Sequence, residues 1–330
     1  MLTRPESDAG IGLPFVSTGH LPTPEMAQPL VAEAHARYKS NTDGTNSQVY
    51  PALARVPSEL FGVCVVGTSG NVYAVGDTDY EFSIMSVAKP FLFALVCQEI
   101  GAEQAREKLG ANSPGLPFNS LSAIERNSDG RTNPMVNAGA IATTSLVPGA
   151  TVEAKWQFIH DGLSAFAGRT LSLNEEVYAS ASETNFRNRS ISRLLQSYDR
   201  IYCNPVQAAD LYTRQCSLNV SAKDLAVMGA TLADGGVNPL TKERVVRSAV
   251  CHYALAVMTT AGLYERLYDT GLPGKSGIGG GIVTVSPGKG GLGTFAAPLD
   301  SAGNSVKGQL VAKFLSQRLG MDLFVSQPAD

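Results

Sequence analysis

FSIMSVAKPFLFALV, residues 82–96, places Lys89 three residues after Ser86 at the start of an apolar, helix-like run. On a helix this spacing puts the lysine one turn beyond the serine on the same face, within reach of its hydroxyl. A serine hydroxyl is a weak nucleophile at neutral pH, and it is activated when a neighbouring base takes its proton. A lysine that has lost its own proton through burial or nearby cations can be that base. The stretch therefore predicts an active-site serine hydrolase with Ser86 and Lys89 as its catalytic pair.

The context of Ser86 matters because S-x-x-K is a short motif, and the chain contains it a second time at 286–289. There the intervening Pro287 and Gly288 predict a turn, in which serine and lysine are not held side by side. The run 90–100 after Ser86 is instead helix-like, and a proline is tolerated in its first turn. A helix N-terminus at Ser86 would favour an anionic oxygen there. The motif alone leaves open a capping serine followed by a solvated lysine.

A second motif, Lys275-Ser276-Gly277, lies in GLPGKSGIGGGIVTVSP, residues 271–287. A phosphate-binding loop would need a glycine where the chain has Asp269, and it would need a helix after the motif, where the alternation at 282–285 indicates a strand. On a strand edge, K-S-G suits substrate binding, because the glycine lets a ligand lie against the backbone and a backbone N–H can hold an oxyanion. A glycine-rich hairpin without a ligand is the alternative.

The composition favours a globular protein that acts on a small molecule. The chain has 330 residues, 44% of them hydrophobic, which is enough for one large domain or two. Its net charge is −3, and no run of lysine or arginine indicates a nucleic-acid or anionic membrane surface. No apolar stretch approaches the roughly 20 residues that span a bilayer, and the first residues lack an export signal. We therefore expect a cytoplasmic protein with no nucleic-acid or membrane partner.

The cysteines and histidines give no sign of a disulfide framework or a metal site. The five cysteines are scattered and odd in number, so we expect them to be reduced. The four histidines show no ligand spacing, and no C-x-x-C or H-E-x-x-H pattern occurs. No G-x-S-x-G elbow surrounds any serine, which argues against a Ser-His-Asp triad. We expect no metal and no cofactor.

Strand signals come from both ends of the chain and helical signals from its middle. The β-rich runs 60–66 and 71–75 predict a hairpin, and three more strands are predicted at about 274–277, 281–286 and 291–297. The economical arrangement is an α/β (α+β) fold with one antiparallel five-stranded sheet, flanked by helices and interrupted by a helical insertion. The site would lie where sheet and insertion meet. The predicted helices are 26–38, 86–100, 136–146, 152–168, 205–215, 221–234, 247–264 and 305–319.

The domain boundaries follow from the same pattern. Residues 1–25 are predicted to be a flexible tail, because most of this segment is rich in glycine, proline and serine. Residues 26–330 are predicted to form a single domain. Its sheet comes from about 58–80 and 272–300, and its helical part from about 86–265.

Several segments resemble the serine-dependent glutaminase family, within the superfamily of serine β-lactamases and penicillin-binding proteins. The resemblance covers roughly residues 40 to 320, and the segments match the family in order and spacing. They are FSIMSVAK at 82–89, PFNSL at 117–121, NPMVNAGAIA at 133–142, RNRSI at 187–191, LYTRQCSL at 211–218, GLYE at 262–265, GLPGKSGIGGGIV at 271–283 and LDSAGNSVKG at 299–308.

The resemblance implies hydrolysis of L-glutamine to L-glutamate and ammonia through a γ-glutamyl ester on Ser86. Lys89 would be the general base, and the backbone N–H groups of Ser86 and Ile278 would hold the negative oxygen. Other residues would contact glutamine or support the serine, with a tyrosine passing a proton to the leaving ammonia. The resemblance also implies a homodimer or homotetramer. The further residues carried over are Asn137, Asn188, Tyr212 and Tyr264.

Each of these residues also has a purely structural interpretation. Asn137 and Asn188 could cap helices, and Tyr212 and Tyr264 could be core aromatic residues with satisfied hydroxyls. Lys275 could add positive charge for substrate binding or only balance charge near the site.

Three positions depart from the family pattern, and all three bear on substrate recognition. The family has a tyrosine two residues before a proline, whereas here Tyr50 directly precedes Pro51 and Val49 occupies the aligned position. Either Tyr50 shifts into the site or one contact is missing. Met85 stands where the family has a glutamine immediately before the nucleophile, and methionine cannot replace its hydrogen bonds.

The third departure concerns the substrate's ammonium group. The family has a glutamate seven residues before the asparagine of RNRS, where it pairs with that group, and this chain has Ala181. Glu183 is a candidate replacement only if the loop is rearranged. A buried ammonium without its carboxylate is costly. A related serine amidohydrolase with a shifted small-amide substrate, and a non-catalytic ligand-binding protein of the same fold, are therefore the alternatives to a glutaminase.

Overall fold

Five antiparallel strands form the central sheet of the computed structural model, which describes residues 19–263 and 266–325. In chain order the strands are β1 (Gly62–Gly67), β2 (Val72–Gly76), β3 (Phe82–Ser83), β4 (Asn219–Val220), β5 (Gly274–Ser276), β6 (Gly281–Ser286) and β7 (Gly290–Phe295). The order across the sheet is β2-β1-β7-β6-β5, and β3 pairs with β4 in a separate two-stranded sheet. The predicted sheet, built from an early hairpin and a late meander, is confirmed.

The helices surround this sheet and fill the segment between β3 and β5. They are α1 (Pro24–Tyr38), α2 (Pro51–Ala54), α3 (Ala88–Ile100), α4 (Ala102–Leu109), α5 (Ser122–Glu125), α6 (Asn137–Ser145), α7 (Val152–Ala167), α8 (Glu175–Thr184), α9 (Phe186–Ser197), α10 (Pro205–Cys216), α11 (Ala222–Ala233), α12 (Ser248–Ala261), α13 (Arg266–Thr270) and α14 (Val306–Arg318). The short 3-10 turn Met85–Val87 precedes α3.

Both faces of the sheet are covered, and β1 shows why its sequence is apolar throughout. Successive side chains of a strand point to opposite faces. Val63 and Val65 belong to the apolar cluster formed with α1 and α14, whereas Cys64 and Val66 pack against α11. Because both faces of β1 are buried, this strand lacks the polar residues that usually alternate with apolar ones.

The helix α11 lies directly on β7, and glycines in the strand make this approach possible. A Cβ atom at Gly293 would overlap the carbonyl oxygen of Ala222 and lie 2.5 Å from the amide nitrogen of Ala226. Neither atom can move away easily, because both belong to the backbone of α11. The small residues of β7 thus set the distance between the sheet and the helical layer.

The longer predicted helices are confirmed to within a few residues, whereas α4, α8, α9 and the short helices α2, α5 and α13 were not predicted. The helices α8 and α9 have mostly polar and exposed residues, so their apolar stripe is thin. The turn predicted at Pro287 and Gly288 joins β6 to β7. Residues 1–18 of the predicted tail lie outside the described residues, and α1 already begins at Pro24.

No single helix in the described ranges is long and apolar enough to cross a membrane. The segments Met85–Ile100 and Ala102–Leu109 reach the length and apolar composition of a membrane span only when they are taken together. They meet at an angle of 118°.

We expect Gly293→Ala to destabilise the fold by about 3 kcal/mol or more, because the new methyl group would overpack a rigid backbone contact. Gly320→Ala is the matched control, since its φ is +62° and nothing lies within 4 Å of the added Cβ. That control should lose only about 1–2 kcal/mol, from backbone strain. Denaturant unfolding of both variants measures the difference. Equal losses would contradict the inferred contact between α11 and β7.

Candidate active site

Ser86 lies in the 3-10 turn Met85–Val87, immediately before α3 begins. It is half-buried, whereas the residues on either side of it are buried. Met85 has a φ of +48°, a left-handed conformation that costs a residue with a side chain about 1–2 kcal/mol. The preceding Ile84 donates its N–H to the Leu218 carbonyl at 2.9 Å, which ties the turn to the segment after α10. The fold thus presents the serine on a strained and firmly held turn.

The end of β5 approaches this turn closely enough to bring two backbone N–H groups together. A Cβ at Gly277 would lie 3.2 Å from the Ser86 nitrogen and 2.9 Å from the Ile84 oxygen, so glycine permits the approach. The N–H of the following Ile278 has no acceptor among the described residues. Free N–H groups near a nucleophile can stabilise an oxyanion. This arrangement fits the predicted roles of the Ser86 and Ile278 backbone.

Lys89 is buried one turn beyond Ser86, with only 2% of its surface exposed. Its Nζ donates to Oδ1 of Asn137 at 2.7 Å, and within the described ranges it forms no ion pair with a carboxylate. Burial disfavours the ammonium form and lowers the pKa of Lys89 from 10.5 to about 8. A substantial fraction of Lys89 is therefore neutral near physiological pH and able to accept a proton.

Asn137, Asn188 and Tyr212 form a buried hydrogen-bond network around Lys89. Asn137 Nδ2 donates to Asn188 Oδ1 at 2.9 Å, and the Tyr212 hydroxyl donates to Asn137 Oδ1 at 3.3 Å. Burial raises the pKa of Tyr212 well above its ordinary value, and the interaction of its hydroxyl with Ser86 only partly opposes this rise. Tyr212 thus stays protonated and can donate a proton.

The structure disfavours the structural interpretations of the two asparagines. Asn137 is the first residue of α6, whose cap residue Val136 makes no side-chain capping bond. Asn188 is the third residue of α9 and uses its oxygen to bind Asn137. Neither side chain caps its helix, and both line the cavity beside Ser86.

Lys275 is buried on β5 and is not among the residues that line the cavity. Its Nζ donates to the Gly262 carbonyl at 3.1 Å and to the Ser276 carbonyl at 3.0 Å. Burial, together with the charge of Lys89, lowers the pKa of Lys275 well below its ordinary value. These contacts favour a role in holding the end of α12 against β5 over direct substrate binding.

A cavity of about 130 Å³ opens above Ser86. Both Val49 and Tyr50 line it, so the chain does bring Tyr50 to the site despite the shifted proline. Burial raises the pKa of Tyr50 to about 12. The predicted site residues that line the cavity are Tyr50, Ser86, Asn137, Asn188, Tyr212 and Ile278.

The remaining two predicted residues are Tyr264 and Glu183. Tyr264 lies outside the described residues. Glu183 is exposed and does not line the cavity, which corrects its proposed role. Successive helix residues are rotated by about 100°, so residues two apart face nearly opposite sides. Because Ala181 and Thr184 on α8 line the cavity, Glu183 between them points away from it.

Sequence reasoning overlooked several lining residues that lie inside motifs it had singled out. Phe118 and Asn119 belong to PFNSL, Arg187 to RNRSI and Cys216 to LYTRQCSL. The motifs marked the segments correctly. What they could not show was which side chains of those segments face the cavity.

Comparison with known proteins identifies what the chain resembles. A family model described as Glutaminase matches residues 44–324. Glutaminase 2 of Yersinia pestis is 70% identical, covering 98% of this chain and 97% of that protein. A glutaminase of Brucella canis is 49% identical, with coverages of 87% and 92%.

Solved structures agree with the sequence relatives. The probable glutaminase ybaS superimposes with a TM-score of 0.90 at 43% identity, covering 92% of this chain and 100% of that one. The Bacillus subtilis glutaminase YbgJ, in a covalent complex with 5-oxo-L-norleucine, gives a TM-score of 0.79 at 27% identity, with coverages of 90% and 98%.

We expect Ser86 to react with a fluorophosphonate probe at a rate that follows the neutral form of Lys89. Because the lysine's pKa is lowered to about 8, the rate should rise with pH up to that value and level off above it. Labelling followed by mass spectrometry over a pH series measures the profile. Lys89→Met should react slowly and without this rise. A wild-type rate that does not change between about pH 7 and 9 would contradict the assignment of Lys89 as the base.

Proposed function

The chain belongs to the glutaminase family, and we propose that it hydrolyses L-glutamine to L-glutamate and ammonia with Ser86 as its nucleophile. The observation that carries this proposal is the placement of the half-exposed Ser86 one helical turn from the buried Lys89. The lowered pKa of Lys89 makes it a base at neutral pH, which is the property that a serine nucleophile requires.

In the first half of the reaction, neutral Lys89 takes the proton of the Ser86 hydroxyl as Oγ attacks the side-chain carbonyl carbon of glutamine. The carbonyl oxygen becomes an oxyanion and accepts hydrogen bonds from the N–H groups of Ser86 and Ile278. Each such donor lowers the barrier by about 3 kcal/mol. The bond between carbon and nitrogen then breaks, the leaving amine takes a proton from Tyr212, and ammonia departs. The γ-glutamyl ester on Ser86 remains.

In the second half, water attacks this ester. Lys89 gives the proton that it took from Ser86 to the Tyr212 phenolate, so that neutral Lys89 can take a proton from the water. The Ser86 oxygen leaves and regains a proton, and L-glutamate is released. By family position Tyr264 contacts the substrate or donates a proton in the same steps.

The loss of stability that the site causes argues against a non-catalytic ligand-binding protein. The strained Met85 destabilises the fold, and so does the buried Lys89, which pairs with no carboxylate of the described residues; such features persist where they serve a reaction. A related amidohydrolase with another small amide is a closer competitor, because Ala181 replaces a carboxylate in the cavity.

We also propose a cytoplasmic location and assembly as a homodimer or homotetramer. The described cysteines are all free thiols, as expected in a reducing compartment. Light scattering coupled to size-exclusion chromatography tests the assembly, and a single peak at the monomer mass would overturn it.

Ammonia release from L-glutamine tests the proposed function, with L-asparagine and D-glutamine measured in parallel. We expect turnover of L-glutamine, and we expect Ser86→Ala and Lys89→Met each to lower kcat by about 10⁴-fold or more. Ser286→Ala and Lys289→Met are the matched controls, because they remove the same residue types from the turn copy of the motif. Both controls should keep their activity. Full turnover by Ser86→Ala would contradict the proposal.

A further inference from the structure

The cavity above Ser86 is unusually poor in charge for a site that receives an amino acid. Of its described lining residues, Arg187 is the only charged one, and neither aspartate nor glutamate occurs among them. An amino acid such as L-glutamine brings one carboxylate and one ammonium. The described part of the cavity therefore offers a counter-charge to the first group and none to the second.

The orientation of α8 keeps the glutamates of this helix out of the cavity. Its inner face consists of Val177, Ala181 and Thr184, which are all uncharged. Glu176 lies at the outer end of the helix and pairs with Arg55.

The one acidic residue of α10, Asp210, also makes its contact outside the cavity. Asp210 accepts a hydrogen bond from the Tyr178 hydroxyl at 2.7 Å. It lines the neighbouring cleft and not the cavity itself.

Arg187 is held where it can receive a carboxylate. Its Nε donates to the Asn119 carbonyl at 2.9 Å, and both residues line the cavity. Within the described ranges Arg187 forms no ion pair, so its terminal N–H groups are available. A guanidinium binds a carboxylate through two parallel hydrogen bonds, which fixes both the position and the orientation of the ligand.

The polar groups beside Arg187 are neutral. Asn185 donates to the Thr213 hydroxyl at 2.9 Å and keeps its side-chain oxygen free, and Thr184 adds a hydroxyl. These oxygens can accept a hydrogen bond from an ammonium, but they give it no opposite charge. The adjacent guanidinium would repel it.

We propose that this site recognises its substrate through the amide and the carboxylate and does not require the α-ammonium. Its substrate class is then the monoamides of five-carbon dicarboxylic acids, including glutaramate, which is glutamine without its amino group. This inference rests on the proposed function, because it defines the substrate range of the same Ser86 site.

The kcat/KM values of the wild-type enzyme for glutaramate and L-glutamine give the first test. A site built to bind a polar group rejects an analogue lacking it by on the order of 10⁴-fold. We expect the two values to agree within about tenfold, since the cavity has no such built group. A preference for L-glutamine above about 10³-fold would overturn the inference.

Variants of Arg187 and Ala181 give the second test. Arg187→Gln should raise KM for both amides by about tenfold or more, because both carry the carboxylate. Arg189→Gln, two residues along α9, is the control, since Arg189 lines the neighbouring cleft and not this cavity. An unchanged KM in Arg187→Gln would overturn the inference.

Ala181→Glu should shift the preference toward L-glutamine by about tenfold or more, because it places a carboxylate in the cavity. Glu183→Gln is its control and should leave the ratio unchanged. An Ala181→Glu enzyme with an unchanged ratio would also count against the inference.

Binding to Ser86→Ala separates a failure of this inference from a failure of the proposed function. If the wild-type enzyme released ammonia from neither amide, the proposed function would be contradicted. Calorimetric titration of Ser86→Ala with glutaramate and with L-glutamine would still decide the question of recognition. Similar dissociation constants support the inference, whereas binding of L-glutamine alone, or of neither compound, overturns it.

Discussion

The burial of Lys89, with no carboxylate partner in the described part of the chain, is the constraint on which the rest of the site depends. An ammonium in such a place is unstable, so the side chain gives up its proton more readily, and its pKa falls to about 8. Its polar partner is Asn137, which is held in turn by Asn188 and Tyr212. The hydrogen bonds around this one buried base connect α3, α6, α9 and α10. The apolar residues of α3 thus form part of the core and also bury Lys89, which lowers its pKa.

The nucleophile is positioned by the junction of the two parts of the fold. The sheet contributes the end of β5, where Gly277 allows close approach to the Ser86 backbone. The helical part contributes the Leu218 carbonyl, which holds the turn from the other side. The strain at Met85 persists because both contacts fix the conformation. This explains why two motifs almost 200 residues apart in sequence act as one site.

The sequence allowed the sheet, the long helices and the catalytic pair to be predicted, because each has a strong local signal. A β-rich apolar run marked β1, alternation marked β6, and the apolar run after Ser86 marked α3. The helices α8 and α9 gave no such signal, since their exposed faces are polar and their buried faces narrow. Whether Ala181 or Glu183 faces the ligand depends on the rotation of α8, so the specificity of the cavity could not be predicted. Arg187 belongs to a recognised motif, but only the structure shows that it forms no ion pair with a carboxylate of the described residues.

Direct titration of Lys89 is the decisive measurement. Protein labelled with ¹³C at the lysine ε-carbons, compared with Lys89→Met for assignment, would report the protonation of this side chain by NMR. A midpoint near pH 8 is expected if burial without a carboxylate makes Lys89 the base for Ser86. A midpoint at about 10 or above, as for an ordinary solvated lysine, would mean that Lys89 is charged at neutral pH and cannot take the serine proton.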